Sequence, residues 1–319
     1  MIRKSLLYNL CCTVYFFLFL SQSSLAKNCL NISVTQIIPL PEISGASGIE
    51  YIDGFYYITG DNSPFLFQLN DEFSIQKKID IYDNSLAVND TLPKKIKPDF
   101  EAMTPVNHAS PFELYIFGSG SKSPVRDILK RVDLEDSKNS DSVSLVIFYE
   151  KLVAQTGDEL NIEAALCTAH RLYLFNRANN KVYSILLNQF ETFLSSGEFP
   201  DITVHSFVLP SVRGIHCGFS GACLIPETNT ALFTASAENT TDWIADGDVL
   251  GSYIGVIDFS AEDPSSTIQF IEIPFKNYDT PSKVESVCIR QIKGQSAQIC
   301  MVADNDDRGS ELILAKLKF

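Results

Sequence analysis

Five times along the chain, a small or acidic residue opens a short β-rich run, a second run follows after a turn, and a polar loop closes the unit. The units open at Ser47-Gly48-Ile49-Glu50, Asp99-Phe100-Glu101-Ala102, Asn161-Ile162-Glu163-Ala164, Gly218-Phe219-Ser220-Gly221 and Lys283-Val284-Glu285-Ser286. The anchors Ser47, Glu101, Glu163, Ser220 and Glu285 follow one another at 54, 62, 57 and 65 residues. Counted from Glu285 to the C-terminus and on from Lys27 to Ser47, the closing interval is again 54. Each interval has room for four short strands. The pattern predicts an all-β chain folded as a five-bladed β-propeller, closed by pairing Leu30 to Leu40 with Glu311 to Phe319. A two-sheet sandwich is the alternative, but it gives no reason for even spacing with circular closure.

The runs themselves are strand-like: Phe55-Tyr56-Tyr57-Ile58, Leu114 to Phe117, Arg171 to Phe175, Ala231 to Thr234 and Gln298 to Val302. Helical periodicity is confined to Asn188 to Ser196, with a turn or two at Val125 to Arg131. No change in composition divides the chain after its N-terminus. There, Arg3 and Lys4 precede the apolar run Leu6 to Leu20, and Ser24-Leu25-Ala26 supplies small residues for cleavage. This reads as a signal peptide over residues 1–26, followed by one propeller domain over 27–319. The run is short for a membrane span, so no stable membrane insertion is expected after cleavage. The product would be secreted or periplasmic, and a monomer.

A net charge of −14 disfavours a nucleic-acid polymer or an anionic membrane as the partner. Export makes disulfides the expected state of the six cysteines outside the leader. Cys288 with Cys300, across the turn at Gly294, is the favoured pair, and Cys217 with Cys223 the second; buried free thiols are the alternative. No Cys-x-x-Cys or His-Glu-x-x-His motif points to zinc.

In a propeller the starts of the five inner strands converge on the axis at one face, and the loops after the second strands return to that face. Ser47, Glu101, Glu163, Ser220 and Glu285 would then crowd together. Three carboxylates and two hydroxyls form an all-oxygen set that suits a hard divalent cation, Ca2+ before Mg2+. Water-bridged glutamates at a channel mouth are the alternative. Asp61, Asp304 and Asp306 sit on the returning loops and could orient a water or a second cation. Ser119, Ser121 and Lys122 in Gly118-Ser119-Gly120-Ser121-Lys122-Ser123 could cradle a phosphate. Arg126, Arg177 and Arg308 could neutralise a small anionic substrate. The segment Gly218 to Ala222 lacks the Gly-x-Ser-x-Gly nucleophile pattern, so no Ser-His-Asp triad is expected.

The order Ser, Glu, Glu, Ser, Glu, one per blade, resembles the calcium-activated nucleotidase (apyrase) family. The islands Ser47 to Asp61, Gly218-Phe219-Ser220 with Ile225-Pro226-Glu227-Thr228, Ser252-Tyr253-Ile254 and Val284-Glu285 carry the likeness. Secreted bacterial propellers of unassigned activity are similar as well. The resemblance implies Ser47, Glu101, Glu163, Ser220 and Glu285 as calcium ligands and a calcium-dependent hydrolase of phosphoanhydrides or phosphoesters. Arg177 would contact phosphate, and Asp61 and Asp304 would act beside it. The other reading is a non-catalytic propeller with structural calcium that binds a protein or glycan through its rim loops.

Overall fold

The computed structural model describes residues 30–106, 109–240, 247–275, 281–305 and 309–319. The leader, Cys29, Asp306 and Arg308 lie outside the described residues. Nearly every strand pairs antiparallel with its neighbour in sequence, and the pairs assemble into five four-stranded sheets. Blade I runs through Ala46–Ile52, Phe55–Gly60, Phe65–Leu69 and Ile75–Asp80. Blade II is built from Phe100–Pro105, Glu113–Gly118, Ile128–Asp133 and Asp141–Ser144. Blade III takes Ile162–Cys167, Arg171–Asn176, Lys181–Leu186 and Ile202–Ser206, and blade IV takes Gly218–Leu224, Thr230–Glu238, Val249–Asp258 and Gln269–Glu272. Blade V contains Val284–Lys293, Ser296–Asp304 and Ser310–Lys318, and its outermost strand is the N-terminal Asn31–Pro39. That strand runs from Asn31 opposite Lys318 to Pro39 opposite Glu311, the closure expected from the sequence.

The first strand of each blade touches the first strand of the next, all the way round. These inner strands are buried on both faces; every residue of Ile162–Cys167 is inside. Outer strands such as Ile75–Asp80 are largely solvated. The apolar core divides into five clusters, one in each seam between neighbouring blades. This is how a ring of twisted sheets buries apolar surface without a central core.

Two helices fill the seam between blades II and III. Leu187–Ser196 buries Leu187, Phe190 and Phe193, matching the periodic segment in the sequence. Val146–Thr156 buries Phe148, Tyr149 and Leu152 and ends at Gly157 in a left-handed conformation. Its first residues, Val146-Ile147-Phe148-Tyr149, have strand propensity, and packing against the seam overrides it. Val125 to Arg131 is a turn leading into a strand rather than a helix. No helix among the described residues is long and apolar enough to cross a membrane.

The expected disulfides are absent among the described residues, where Cys167, Cys217, Cys223, Cys288 and Cys300 are all buried thiols. Cys217 and Cys223 are separated by extended strand rather than a loop, which puts their backbones about 20 Å apart. Cys288 and Cys300 do face each other across the ladder, as the turn at Gly294 implied. They remain free thiols instead of a bridge, and the Cys300 thiol donates to the Tyr56 hydroxyl at 3.4 Å.

Candidate functional site

The pairing of each blade's first two strands slips at one point, and the residue left over is the anchor. The slips fall between Ala46 and Gly48, Phe100 and Ala102, Ile162 and Ala164, Phe219 and Gly221, and Val284 and Ser286. A β-bulge leaves its extra residue outside the ladder and re-aims its side chain. Five bulges at equivalent positions therefore turn Ser47, Glu101, Glu163, Ser220 and Glu285 out of the regular alternation, at the same end of all five inner strands.

A cavity of about 390 Å³ opens over this end. Ser47, Glu101, Glu163 and Glu285 line it, while Ser220 is buried beside it without reaching its wall. The loops after the second strands contribute Asp61, Asn62 and Arg177, and the ends of those strands contribute Glu238 and Asp304. Arg126 lines the cavity too, whereas Ser119, Ser121 and Lys122 do not. Ser119 Oγ donates to Asp99 Oδ2 at 2.6 Å and meets Ser121 Oγ at 2.8 Å, and Arg126 Nη1 binds both Asp99 Oδ2 and Ser121 Oγ. In this arrangement the serines and Arg126 hold Asp99. Lys122 is exposed.

Lys97, Asp99, Asn161, Glu238 and Lys283 are part of the site and were not singled out from the sequence. A signal for three of them exists. Two residues before each glutamate anchor stands a polar residue, Asp99, Asn161 or Lys283, and two before each serine anchor stands glycine, Gly45 or Gly218. Those residues stand at the entry to each inner strand, and Gly45, Asp99, Asn161 and Lys283 line the cavity with the anchors. Asn161 Nδ2 donates to Glu163 Oε1 at 2.7 Å, and Lys283 Nζ pairs with Glu285 Oε1 at 3.0 Å. The glycines clear space for loop side chains: a Cβ at Gly45 would run into Asp61 Oδ1, and one at Gly218 would stand 2.5 Å from Arg177 Cγ.

Ion pairs tie the blades together around the cavity. Lys97 Nζ bridges Asp61 Oδ2 of blade I and Asp99 Oδ1 at 2.8 Å. Arg177 Nη2 from blade III binds Glu238 Oε2 of blade IV at 2.7 Å, and Lys283 Nζ approaches Glu238 Oε1 at 3.4 Å. The two serine anchors act the same way: Ser47 Oγ donates to the carbonyl of Phe100 at 2.5 Å, and Ser220 Oγ to that of Val284 at 2.7 Å. Each accepting residue immediately precedes the next blade's anchor.

Seven carboxylates and five basic side chains line the cavity, a formal charge of −2. Burial pushes the Glu163 carboxyl up to about 8, with Arg177 pulling the other way and Glu285 adding to the rise. Burial, then Glu163, Asp99 and Asp61, raise Glu101 well above the carboxylate range. Glu285 is also raised by burial, against the pull of Lys283 and Arg177. Burial works against the charge of Arg177, but Glu163, Glu238 and Glu285 outweigh it.

Four buried polar atoms of the lining residues have no hydrogen-bond partner: Glu285 Oε2, Asp61 Oδ1, Asn62 Oδ1 and Arg177 Nη1. Asp61, Asp99 and Glu101 each offer a carboxylate oxygen within 4.8 Å of the others. An excess of negative charge, unpartnered oxygens and serine hydroxyls whose protons go to backbone carbonyls make a donor set compatible with a hard cation. The unpartnered guanidinium nitrogen is suited instead to an anion.

No curated protein matches the chain. Among solved structures, glutaminyl cyclase from Myxococcus xanthus superposes with a TM-score of 0.52 at 8% identity, over 91% of this chain and 98% of that one. Virginiamycin B lyase from Staphylococcus aureus gives 0.42 at 11% identity, over 91% and 99%. At such identities the likeness concerns the fold alone. A family model matches residues 42–317, which takes in all five anchors and all five inner strands. The chain therefore belongs to the family of unknown function DUF6929.

Proposed function

We propose that the protein is a secreted, calcium-binding propeller that hydrolyses small phosphorylated substrates at the mouth of its axis, as the resemblance to the apyrase family implies. The observation that carries this reading is Arg177, whose buried Nη1 has no partner while Nη2 is fixed by Glu238. A guanidinium held by one edge presents its other edge to a phosphoryl oxygen without further ordering.

Glu101, Glu163 and Glu285, with Ser47 above and Ser220 beside them, are the residues that would hold calcium. When bound, the ion would polarise substrate oxygens and neutralise charge on the phosphoryl group. Around it the side chains divide the remaining work. Lys283 and Glu238 hold the neighbourhood of Arg177 in place. Asp61 Oδ1, buried and unpartnered while Oδ2 is taken by Lys97, is placed to accept a hydrogen bond from a water. Asp304 lines the same wall. The basic residues that a phosphate site requires are scattered in sequence, and the fold gathers Lys94, Lys97, Arg126, Arg177 and Lys283 around one cavity.

The test is a screen of the purified protein against nucleotides, phosphate esters and carboxyl esters, with calcium and with chelator. Calcium-dependent release of phosphate is expected. If no phosphorylated compound turns over above the Arg177→Ala background, the hydrolase reading fails and the binding-module reading replaces it.

A further inference from the structure

Arg177 and Glu238 line both the axial cavity and a second hollow of about 350 Å³, which therefore share a border. Both side chains are buried, 8% and 7% exposed, and they meet at 2.7 Å. Gly218 makes this placement of Arg177 possible, because a Cβ there would displace the Arg177 side chain that lies across it. The two compartments differ in chemistry. The axial one is crowded with carboxylates and basic groups. Apart from the shared pair, no carboxylate, lysine or arginine lines the second among the described residues, where Ala178, Asn180, Ile215, His216 and Ser236 provide a polar and partly apolar surface.

One side of the second hollow is a structural addition. The hairpin Ser211–Val212 with Ile215–His216 stands outside the five four-stranded sheets. Arg213 and Gly214 at its tip both have positive φ, 52° and 84°, the conformation of a two-residue type I′ hairpin turn. Ser211 Oγ and His216 Nδ1 meet at 2.9 Å and pin its base. A loop added to a regular scaffold beside a cavity, and already ordered, is where substrate selection is built at little entropic cost.

We infer that this second hollow receives the organic part of a ligand whose anionic group is held at Arg177, an inference that rests on the phosphate reading above. An uncharged polar body, such as a sugar or polyol, matches the lining. Inorganic phosphate would fill the first compartment alone. The selecting elements are the Ser211–His216 segment and the turn at Ala178, and the axial anchors have no part in the selection.

The experiment is calorimetric titration of the full-length, calcium-loaded protein with two probes, inorganic phosphate and ribose 5-phosphate. Ile215→Trp and Ala178→Trp each fill the hollow from a different side. Each variant should weaken ribose 5-phosphate about tenfold or more while inorganic phosphate stays within about twofold. Unchanged phosphate binding also shows that the variant is folded. Arg177→Ala should lose both probes. If wild type binds both probes and neither tryptophan variant discriminates between them, the second compartment is overturned and the phosphate site stands. If wild type binds neither probe, both readings fall together.

Discussion

Arg177 and Glu285 line the same cavity but are expected to fail differently. Arg177→Ala removes a charge-assisted contact to an anion, which typically costs ~10²–10³ in rate. It leaves the anchors in place, so the calcium-dependent rise in melting temperature should survive. Glu285→Gln removes an anchor charge and should weaken both activity and the melting shift; equal behaviour of the two variants would separate Arg177 from the chemistry assigned to it. Glu163 gives a pH signature to the calcium-free protein. Its folded value, about 8, lies above the ordinary 4.5 of a glutamate, so the folded state holds a proton that the unfolded chain releases. The associated stability is complete below about 4.5 and is lost as pH rises through about 8. Melting temperature without calcium should therefore fall over that window, and Glu163→Gln should flatten the fall. Part of this site was legible in the sequence. The anchors stood out because they recur at the blade period. Lys97 and Glu238 had no such period, and their roles come from ion pairs across blades that only the closed ring creates.

The bulged strand starts join fold to site, and their two kinds of anchor make different contributions. Ser47 donates to the Phe100 carbonyl, which has no second hydroxyl donor among the described residues; Ser47→Ala should cost about 1–3 kcal/mol in chelator-treated protein. Ser220→Ala should cost less, because the Val284 carbonyl keeps a contact from Ser236 Oγ at 3.2 Å. Denaturant melts of the two variants measure the difference, and an equal loss would contradict the inter-blade role given to Ser47. Asn31–Pro39 makes a second element-level test. It covers the edge of Ser310–Lys318 and contributes Ile32 to the seam between blades IV and V. Deleting residues 31–39 would expose that edge and promote association between chains. The shortened protein should melt lower and aggregate, and an unchanged monomeric melt would show that the closure contributes nothing. Strand order and closure could be read from the sequence because each blade is local and the intervals are even. Helix Val146–Thr156 could not, since residues with strand propensity open it and only the seam between blades II and III decides its state. The thiols at Cys288 and Cys300 show the limit of the same reasoning: the register was correctly inferred, but register alone does not determine whether a bridge forms.

Taken as a ring, the molecule gathers carboxylates from five blades around an axis and balances them with basic side chains from four of the intervening segments and loops, short by two charges. Without a cation, burial first and neighbouring carboxylates after it raise the carboxyls of Glu101, Glu163 and Glu285, against the pull of Lys97, Arg177 and Lys283. A divalent ion would supply the missing charge and link the anchors of four blades, Ser47, Glu101, Glu163 and Glu285. It would bind the native state alone and stabilise it by mass action, ~2.7 kcal/mol at a hundredfold excess over its dissociation constant. The most direct measurement is the melting curve of the wild type in calcium and in chelator, beside that of the Glu101→Gln, Glu163→Gln double variant. Calcium should raise the wild-type melting temperature reversibly and leave the double variant unmoved. Superimposable wild-type curves with calcium and with chelator would contradict a bound axial ion, and with it the calcium-dependent chemistry proposed for the site.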